Sequence, residues 1–204
     1  MVEMMVGREI SQFYYKAEVP EKREVVLEVK EISSAHRFKN VSFQLYKGEV
    51  LGVAGLIGAG RTELMRAIFG ADTYEHGDVL LYGESIKGKS PKEIIRRGIG
   101  LIPEDRRGQR LLLEKTVREN TSLASLKENG HNGFIDFLWE KQEAVSYIEK
   151  LRIKTPSDLA VTKNLSGGNQ QKVVIAKWLL AKSKILIMDE PTRGIDVNAK
   201  AEIY

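Results

Sequence analysis

A glycine-rich run in this 204-residue chain has the composition of a phosphate-binding loop. It joins an apolar run to a helical stretch and consists of Gly55, Leu56, Ile57, Gly58, Ala59, Gly60, Arg61 and Thr62, with Glu63 next. Glycines let successive backbone N–H groups point at phosphate oxygens, the following helix contributes its positive end, and Thr62 offers a hydroxyl to Mg²⁺. Arg61 stands where a lysine is usual, and its planar guanidinium cannot occupy the same point between two phosphates. The run alone therefore fits a phosphate loop and an ordinary strand-to-helix turn equally well.

Two adjacent carboxylates, Asp189 and Glu190, follow the apolar run Lys184–Met188. A buried strand that ends in two acids could place Asp189 at a Mg²⁺ ion and let Glu190 polarise a water molecule for attack on a phosphate. Two acids at a solvent-facing strand end are also common in proteins without such chemistry. The glycine-rich run upstream favours the functional interpretation, because ligands of α/β sheets bind beyond the carboxyl ends of the strands.

A third motif consists of Leu165, Ser166, Gly167, Gly168 and Asn169. Ser166 is a natural N-cap residue, and the two glycines leave the first N–H groups of a helix accessible. Such a helix terminus attracts anions, although a capped helix without a ligand is the plainer interpretation. The Leu-Ser-Gly-Gly sequence shortly before a strand that ends in Asp-Glu is nevertheless a specific combination.

Alternating strand-like and helix-like segments must position these motifs. The patterns predict strands at 25–29, 41–45, 49–54, 78–81, 99–102 and 184–188, and helices at 62–69 and 91–97. Residues from about 110 to 180 lack strand patterning and predict an inserted helical subdomain, in which a long amphipathic helix begins at Ser166. We therefore expect an α/β fold with a mostly parallel sheet, an antiparallel β segment near the N-terminus and this helical insertion.

The composition excludes several classes of protein. The chain has no cysteine, so it can have no disulfide scaffold, cysteine metal site or thiol nucleophile. No apolar run approaches the roughly 18 residues that a membrane helix needs. The net charge of +4 arises from scattered basic residues with acids between them. A solvated surface explains this charge better than a nucleic-acid-binding face does.

The order of glycine-rich loop, Leu-Ser-Gly-Gly and Asp-Glu-Pro-Thr resembles the ATP-binding-cassette (ABC) family over residues 25–204. The segments GLIGAGRTELM, LIPEDRR, LSGGNQQK and DEPTRGIDVNAKAEIY are similar to the second, C-terminal cassette in the tandem ATPase subunits of bacterial monosaccharide importers of the ribose, galactose and xylose type. The resemblance implies a P-loop NTPase core, with residues 25–204 as the nucleotide-binding domain. It also implies that residues 1–24 are a linker or arm from a preceding cassette.

The resemblance assigns roles to the motif residues, with ATP and Mg²⁺ as cofactors. The implied roles are the Walker A loop for Gly55–Thr62 with Glu63 beside the nucleotide, the signature motif for Leu165–Asn169, the Walker B aspartate for Asp189, the catalytic glutamate for Glu190 and the D-loop for Arg193–Asp196. Thr62, Glu104 and Asp189 would lie at Mg²⁺. The implied activity is ATP hydrolysis coupled to sugar uptake at the cytoplasmic face of the cell membrane. The implied partners are the first cassette of the same subunit or a homodimer partner, transmembrane permease subunits and, indirectly, a sugar-binding protein, without nucleic acid.

Three departures from the family pattern bear on activity. Arg61 replaces the Walker A lysine, Glu104 stands where a glutamine is usual, and a last strand with a switch residue would follow Tyr204. We therefore expect the isolated chain to hydrolyse ATP slowly or not at all, and a weakly hydrolysing or non-hydrolysing regulatory cassette is an alternative. An ABC ATPase of DNA repair or translation is a further alternative. It fits less well, because only about a hundred residues without sustained heptads separate the glycine-rich loop from the signature.

Overall fold

The computed structural model of the chain describes residues 24–35, 37–104, 111–130, 134–195, 200 and 202–203. These residues fall into two compact units, one with the described residues up to Leu101 and one with those from Ile102 onward. The first unit is a sheet with two helices, and the second is mainly helical with one strand near its end.

The first unit is built on a four-stranded antiparallel sheet. Its strands are β1 (Val25–Ser34), β2 (Phe38–Tyr46), β3 (His76–Leu81) and β4 (Glu84–Ser85), in the spatial order β2-β1-β3-β4. Val29 is opposite Phe43 on one side and Val79 on the other, and both Val29 and Val79 are buried. The predicted strands at 25–29, 41–45 and 78–81 and the antiparallel segment near the N-terminus are confirmed.

Two short helices accompany this sheet, α1 (Arg61–Ile68) and α2 (Pro91–Arg96). Helix α1 begins directly after Gly60 and buries its apolar residues Leu64, Ala67 and Ile68. Helix α2 begins with a capping box, in which Glu93 Oε2 accepts a hydrogen bond from the Ser90 amide at 2.9 Å. Strand β5 (Ile99–Ile102) follows, and its four residues are all buried.

The predicted strand at 49–54 is wrong. Residues 49–56 have no regular secondary structure, and Val50 and Leu56 are 92% and 85% exposed. A strand is stabilised by hydrogen bonds to its neighbours, and no strand among the described residues pairs with this run. The apolar residues of this run predicted a buried strand, but no partner strand is present among the described residues.

The second unit is mainly helical up to residue 180. Its elements are α3 (Val117–Ser122), α4 (Leu126–Asn129), α5 (Phe137–Lys150), a 3-10 turn (Thr162–Asn164) and α6 (Gly167–Leu180). Among the described residues of 111–180, no strand occurs, and Thr116 and Val161 form an isolated antiparallel bridge. These helices agree with the helical patterning, and the bounds of the subdomain stay a prediction.

Two buried polar contacts join the helices of this unit. Asn120 is fully buried, and its side chain accepts a hydrogen bond from the Leu112 amide at 2.8 Å and donates to Thr162 Oγ1 at 3.0 Å. Ser122 Oγ donates to the carboxyl group of Glu140, also buried, at 2.6 Å. The hydrogen bond from Asn120 to Thr162 connects α3 to the turn that precedes α6.

Helix α6 is more deeply buried than the sequence predicts. Its start after Ser166 is confirmed, but its residues are buried on most sides, and Leu179 is its one exposed residue. An amphipathic helix was predicted, so this part of the prediction is wrong. Strand β6 (Ile185–Met188) follows, and the amide of Asp189 donates to the carbonyl of Ile102 at 2.9 Å. The end of β6 therefore lies beside the end of β5.

Candidate functional site

The glycine-rich loop of the first unit bends at two left-handed glycines. Gly58 and Gly60 have φ of 80° and 82°, a conformation that side-chain-bearing residues adopt at a cost. A Cβ added to Gly60 would lie 2.2 Å from the carbonyl oxygen of Arg37, so only glycine fits there. The amide of Leu64 donates to the Gly60 carbonyl at 2.9 Å, which joins the loop directly to α1.

An ion-pair cluster that was not predicted anchors this loop. The Arg37 guanidinium donates to Asp72 Oδ2 at 3.1 Å, and Arg66 of α1 donates to both Asp72 oxygens at 2.9 Å. The bidentate bond from Arg66 holds the pKa of Asp72 below its usual range. The cluster fixes the backbone of Arg37 against Gly60. No motif in the sequence indicated it, because Arg37 and Asp72 are far apart in the chain.

Around Gly58, the loop presents an open backbone surface. Leu56 and Ile57 are 85% and 101% exposed, and nothing lies within 4 Å of the place where a Gly58 side chain would begin. Among the described residues, no group accepts a hydrogen bond from the amides of Gly58 or Gly60. Accessible N–H groups followed by a helix N-terminus have the donor chemistry that phosphate oxygens require.

The carboxylates of the second unit gather around Arg193. Glu190 follows β6 in a left-handed conformation, with φ of 44°, and its carbonyl accepts a hydrogen bond from the Arg193 amide at 3.1 Å. The guanidinium of Arg193 forms an ion pair with Glu104, and its Nε lies 3.9 Å from Glu190 Oε2. A non-glycine residue in this region is strained, and such strain is concentrated at functional sites.

Glu104 and Glu190 therefore lie on either side of one group, the guanidinium of Arg193. Sequence reasoning placed Glu104 at a metal ion and did not pair it with Arg193. Among the described residues, no group of three or more His, Asp or Glu side chains has the geometry of a metal site. Thr62 belongs to the first unit and Asp189 to the second, so their shared role at Mg²⁺ stays a prediction. Asp196 of the predicted D-loop lies outside the described residues.

The signature motif forms the N-terminus of α6. Ser166 is the N-cap residue, but its side chain makes no capping hydrogen bond to the helix backbone. The side chain of Gln170 donates to the carbonyls of Thr162 and Leu165 at 3.2 and 3.1 Å, and so joins the helix to the preceding turn. Asn169 donates to Ser166 Oγ at 2.9 Å. The predicted cap position is correct, and the capping bond expected of a serine is absent.

Comparison with known proteins agrees with these motifs. The ABC transporter family profile matches residues 38–193. The ribose import ATP-binding protein RbsA of Bacillus licheniformis is 47% identical over all 204 residues, which cover 41% of that protein. A putative ribose/galactose/methyl galactoside import ATP-binding protein of Rhizobium etli is 48% identical over the whole chain, which covers 39% of it. The chain thus spans about two-fifths of the length of these relatives.

Solved structures show the same fold. The ADP conformation of the ATP-binding cassette MJ1267 superposes with a TM-score of 0.72 at 23% identity, over 88% of this chain and 74% of that one. The cassette MJ0796, in a dimeric post-hydrolysis state with ADP and Pi, gives a TM-score of 0.74 at 21% identity, over 87% and 79% of the two chains. The fold is that of an ATP-binding cassette, and the predicted fold class is confirmed. With the family match over residues 38–193, the chain belongs to the ABC transporter family.

Proposed function

We propose that this chain is the second nucleotide-binding cassette of a two-cassette ATPase subunit that drives monosaccharide uptake through a membrane permease. The names of the relatives support sugar import, and the share of their length that this chain spans leaves room for another cassette. Among the helices of the described residues, none combines the length and apolar character needed to cross a bilayer. The cassette would bind peripherally at the cytoplasmic face of the cell membrane, through permease subunits that also receive sugar from a binding protein.

The residues present fit a magnesium–nucleotide complex. The accessible amides of the glycine-rich loop would donate to its phosphate oxygens, with Arg61 adding positive charge. Thr62 and Asp189, with Glu104 nearby, would hold the metal ion. Glu190 would accept a proton from the attacking water molecule. The bound nucleotide supplies the phosphoanhydride bond whose hydrolysis drives transport.

The observation that carries the proposal is the contrast between the signature serine and the residues around Glu190. The signature serine makes no capping bond to the helix backbone, and its hydroxyl oxygen accepts a hydrogen bond from Asn169. In the same unit, Arg193 contacts Glu104 and approaches Glu190, and in the first unit Arg61 replaces lysine. We infer two unequal sites, each built from the loop of one cassette and the signature of the other. Ser166 would complete the faster site on the first cassette, and Arg61 and Glu190 would form a slower holding site.

A pair of substitutions in the full-length subunit, assayed with its permease, tests this proposal. Ser166→Arg should nearly abolish ATP turnover, because it blocks the donor that stabilises the developing phosphate charge. Glu190→Gln should leave much of the turnover. Ser157→Arg adds the same charge at an exposed position of the same unit and should have little effect. If Glu190→Gln is the more damaging change, this cassette carries the faster site and the proposed asymmetry is wrong.

A cassette that holds nucleotide without hydrolysing it is a second candidate. It is favoured by the contacts of Arg193, whose guanidinium pairs with Glu104 and whose Nε lies 3.9 Å from Oε2 of Glu190, the carboxylate that would activate the water molecule. Trapping the nucleotide on each cassette after a single turnover, followed by separation of ATP from ADP, distinguishes the two functions. Only ATP on this half would favour the holding function, and ADP on both halves would favour two hydrolytic sites.

A further inference from the structure

The side chain of Asn169 connects the signature serine to a neighbouring backbone turn. Its Nδ2 lies 2.9 Å from Ser166 Oγ, and its Oδ1 lies 2.8 Å from the backbone nitrogen of Lys154. Asn169 is the third residue of α6, three positions after the N-cap, and residues three apart lie on one face of a helix. One amide group therefore bridges the cap residue and a segment that lies outside the helix.

The chemistry of these groups fixes the direction of both hydrogen bonds. A backbone N–H can only donate, so the Asn169 atom that faces Lys154 is the carbonyl oxygen. The NH₂ group then faces Ser166 and can only donate, so Ser166 Oγ is the acceptor. A capping bond would use an Oγ lone pair and not the hydroxyl hydrogen; among the described residues, Ser166 Oγ accepts a hydrogen bond from Asn169 and donates to no group. The serine O–H is therefore available to an acceptor beyond the helix N-terminus.

We propose that Asn169 is a positioning residue that holds the Ser166 hydroxyl as a hydrogen-bond donor toward a phosphate group. This inference rests on the proposed function, in which Ser166 completes the nucleotide site of the first cassette. A free serine hydroxyl rotates among several directions. The Asn169 amide occupies one acceptor position and disfavours rotamers in which the O–H points back at the amide hydrogens. A donor oriented before the reaction stabilises developing charge without reorganisation.

A purely structural role is the competing explanation, because Asn169 also anchors the backbone at Lys154. In that case, a substitution would loosen the second unit whether or not residue 166 carries a hydroxyl. If Asn169 acts through Ser166, its substitution has no effect once the hydroxyl is gone. A double-mutant cycle separates the two explanations.

The cycle uses the full-length two-cassette subunit assembled with its permease. Asn169→Asp keeps an acceptor for Lys154 but places a carboxylate oxygen opposite Ser166, so the hydroxyl turns to donate to that oxygen. We expect ATP turnover to fall about 100-fold, as for Ser166→Ala, with KM changed much less than kcat. Asn169→Ala leaves the hydroxyl free to rotate and should have a smaller effect. The double variant Ser166→Ala/Asn169→Asp should match Ser166→Ala alone.

Two controls separate orientation from charge and from folding. Asn164→Asp adds the same negative charge at an exposed position two residues before Ser166 and should keep wild-type turnover. The amount of nucleotide retained after trapping with vanadate measures the transition-state-like complex of ADP and vanadate, and not ground-state binding. It should fall in Asn169→Asp in parallel with turnover. Urea unfolding should show that the variants compared are folded under assay conditions.

Each outcome of the cycle has one meaning. If Asn169→Asp impairs the Ser166→Ala protein by the same factor as it impairs wild type, the two residues act independently and the positioning role is overturned. The same holds if Asn164→Asp reproduces the loss, since charge then explains it. If Ser166→Ala itself leaves turnover intact, the proposed role of Ser166 in the nucleotide site is wrong, and the positioning role of Asn169 is rejected with it.

Discussion

Replacement of Asn120 by alanine tests whether buried polar contacts hold the helical unit together. The fully buried Asn120 side chain accepts a hydrogen bond from the Leu112 amide at 2.8 Å, and its two N–H hydrogens are shared among the carbonyls of Leu112 and Thr116 and Thr162 Oγ1, which lie 2.9–3.0 Å from Nδ2. A hydrogen bond contributes about 1 kcal/mol net, and a buried group left without a partner costs about 1–3 kcal/mol. Leu112 is half exposed, so its backbone groups can turn to water, whereas the Thr162 hydroxyl cannot. We therefore expect Asn120→Ala to lower the free energy of unfolding by about 3 kcal/mol.

Intrinsic fluorescence measures this loss directly. The chain has two tryptophans, Trp139 in α5 and Trp178 in α6, so urea unfolding followed by tryptophan emission reports on the helical unit. With an m-value of about 1.5 kcal/mol per molar urea, the midpoint should fall by about 2 M. Asn129→Ala is the matched control, because that side chain donates a single hydrogen bond, to the Ser125 carbonyl at 2.9 Å. A midpoint shift no larger than that of the control, at unchanged m-value, would refute the reasoning.

Three further predictions concern the loop, a buried lysine and the Arg193 ion pair. Gly60→Ala should lower the free energy of unfolding by at least about 2 kcal/mol more than Gly83→Ala does, as urea unfolding followed by circular dichroism would show. Both glycines have positive φ, but of the two only Gly60 faces a backbone oxygen. Burial lowers the pKa of Lys177 to about 8, so unfolding takes up a proton between about pH 8 and 10.5. As pH rises across that window, the free energy of unfolding of the wild type should increase by up to about 3 kcal/mol relative to that of Lys177→Met. Parallel pH profiles of the two proteins would contradict this. Arg193→Ala should weaken Mg²⁺-free ATP binding two- to fivefold, about what an exposed ion pair contributes, because the Glu104 charge is then uncompensated. Addition of Glu104→Gln should restore the affinity, as titration with a fluorescent nucleotide would show.

The sequence predicts those elements whose causes are local. Strand β1 is readable from its alternating apolar residues, and the start of α6 is readable from Ser166 and two glycines. The contact between Asn169 and Ser166 could also have been predicted, because Asn169 lies three residues after the cap and side chains at this spacing meet at a helix N-terminus. Periodicity and cap chemistry act within a few residues, so a single sequence carries them.

The remaining features depend on partners that are distant in the chain. The apolar run at 49–54 reads as a strand, but strand formation depends on neighbours that the run does not encode. The pairing of Glu104 with Arg193 and the burial of Asn120 against Thr162 likewise join residues far apart in sequence. Because either partner alone is compatible with an exposed position, no pattern in one sequence identifies these pairs.

The register of the first sheet also has a consequence for the order of folding. Ser33 of β1 pairs with His76 of β3, so the chain between them forms a closed loop that contains the glycine-rich segment and all of α1. Hairpin pairing of β1 with β2 closes only a short loop, at Ser34 and Phe38, and should form early. Joining β3 to β1 must overcome the larger loss of chain entropy, and Arg37, Arg66 and Asp72 lie inside that loop. We therefore expect the glycine-rich loop to gain its final shape late, after β3 has joined β1.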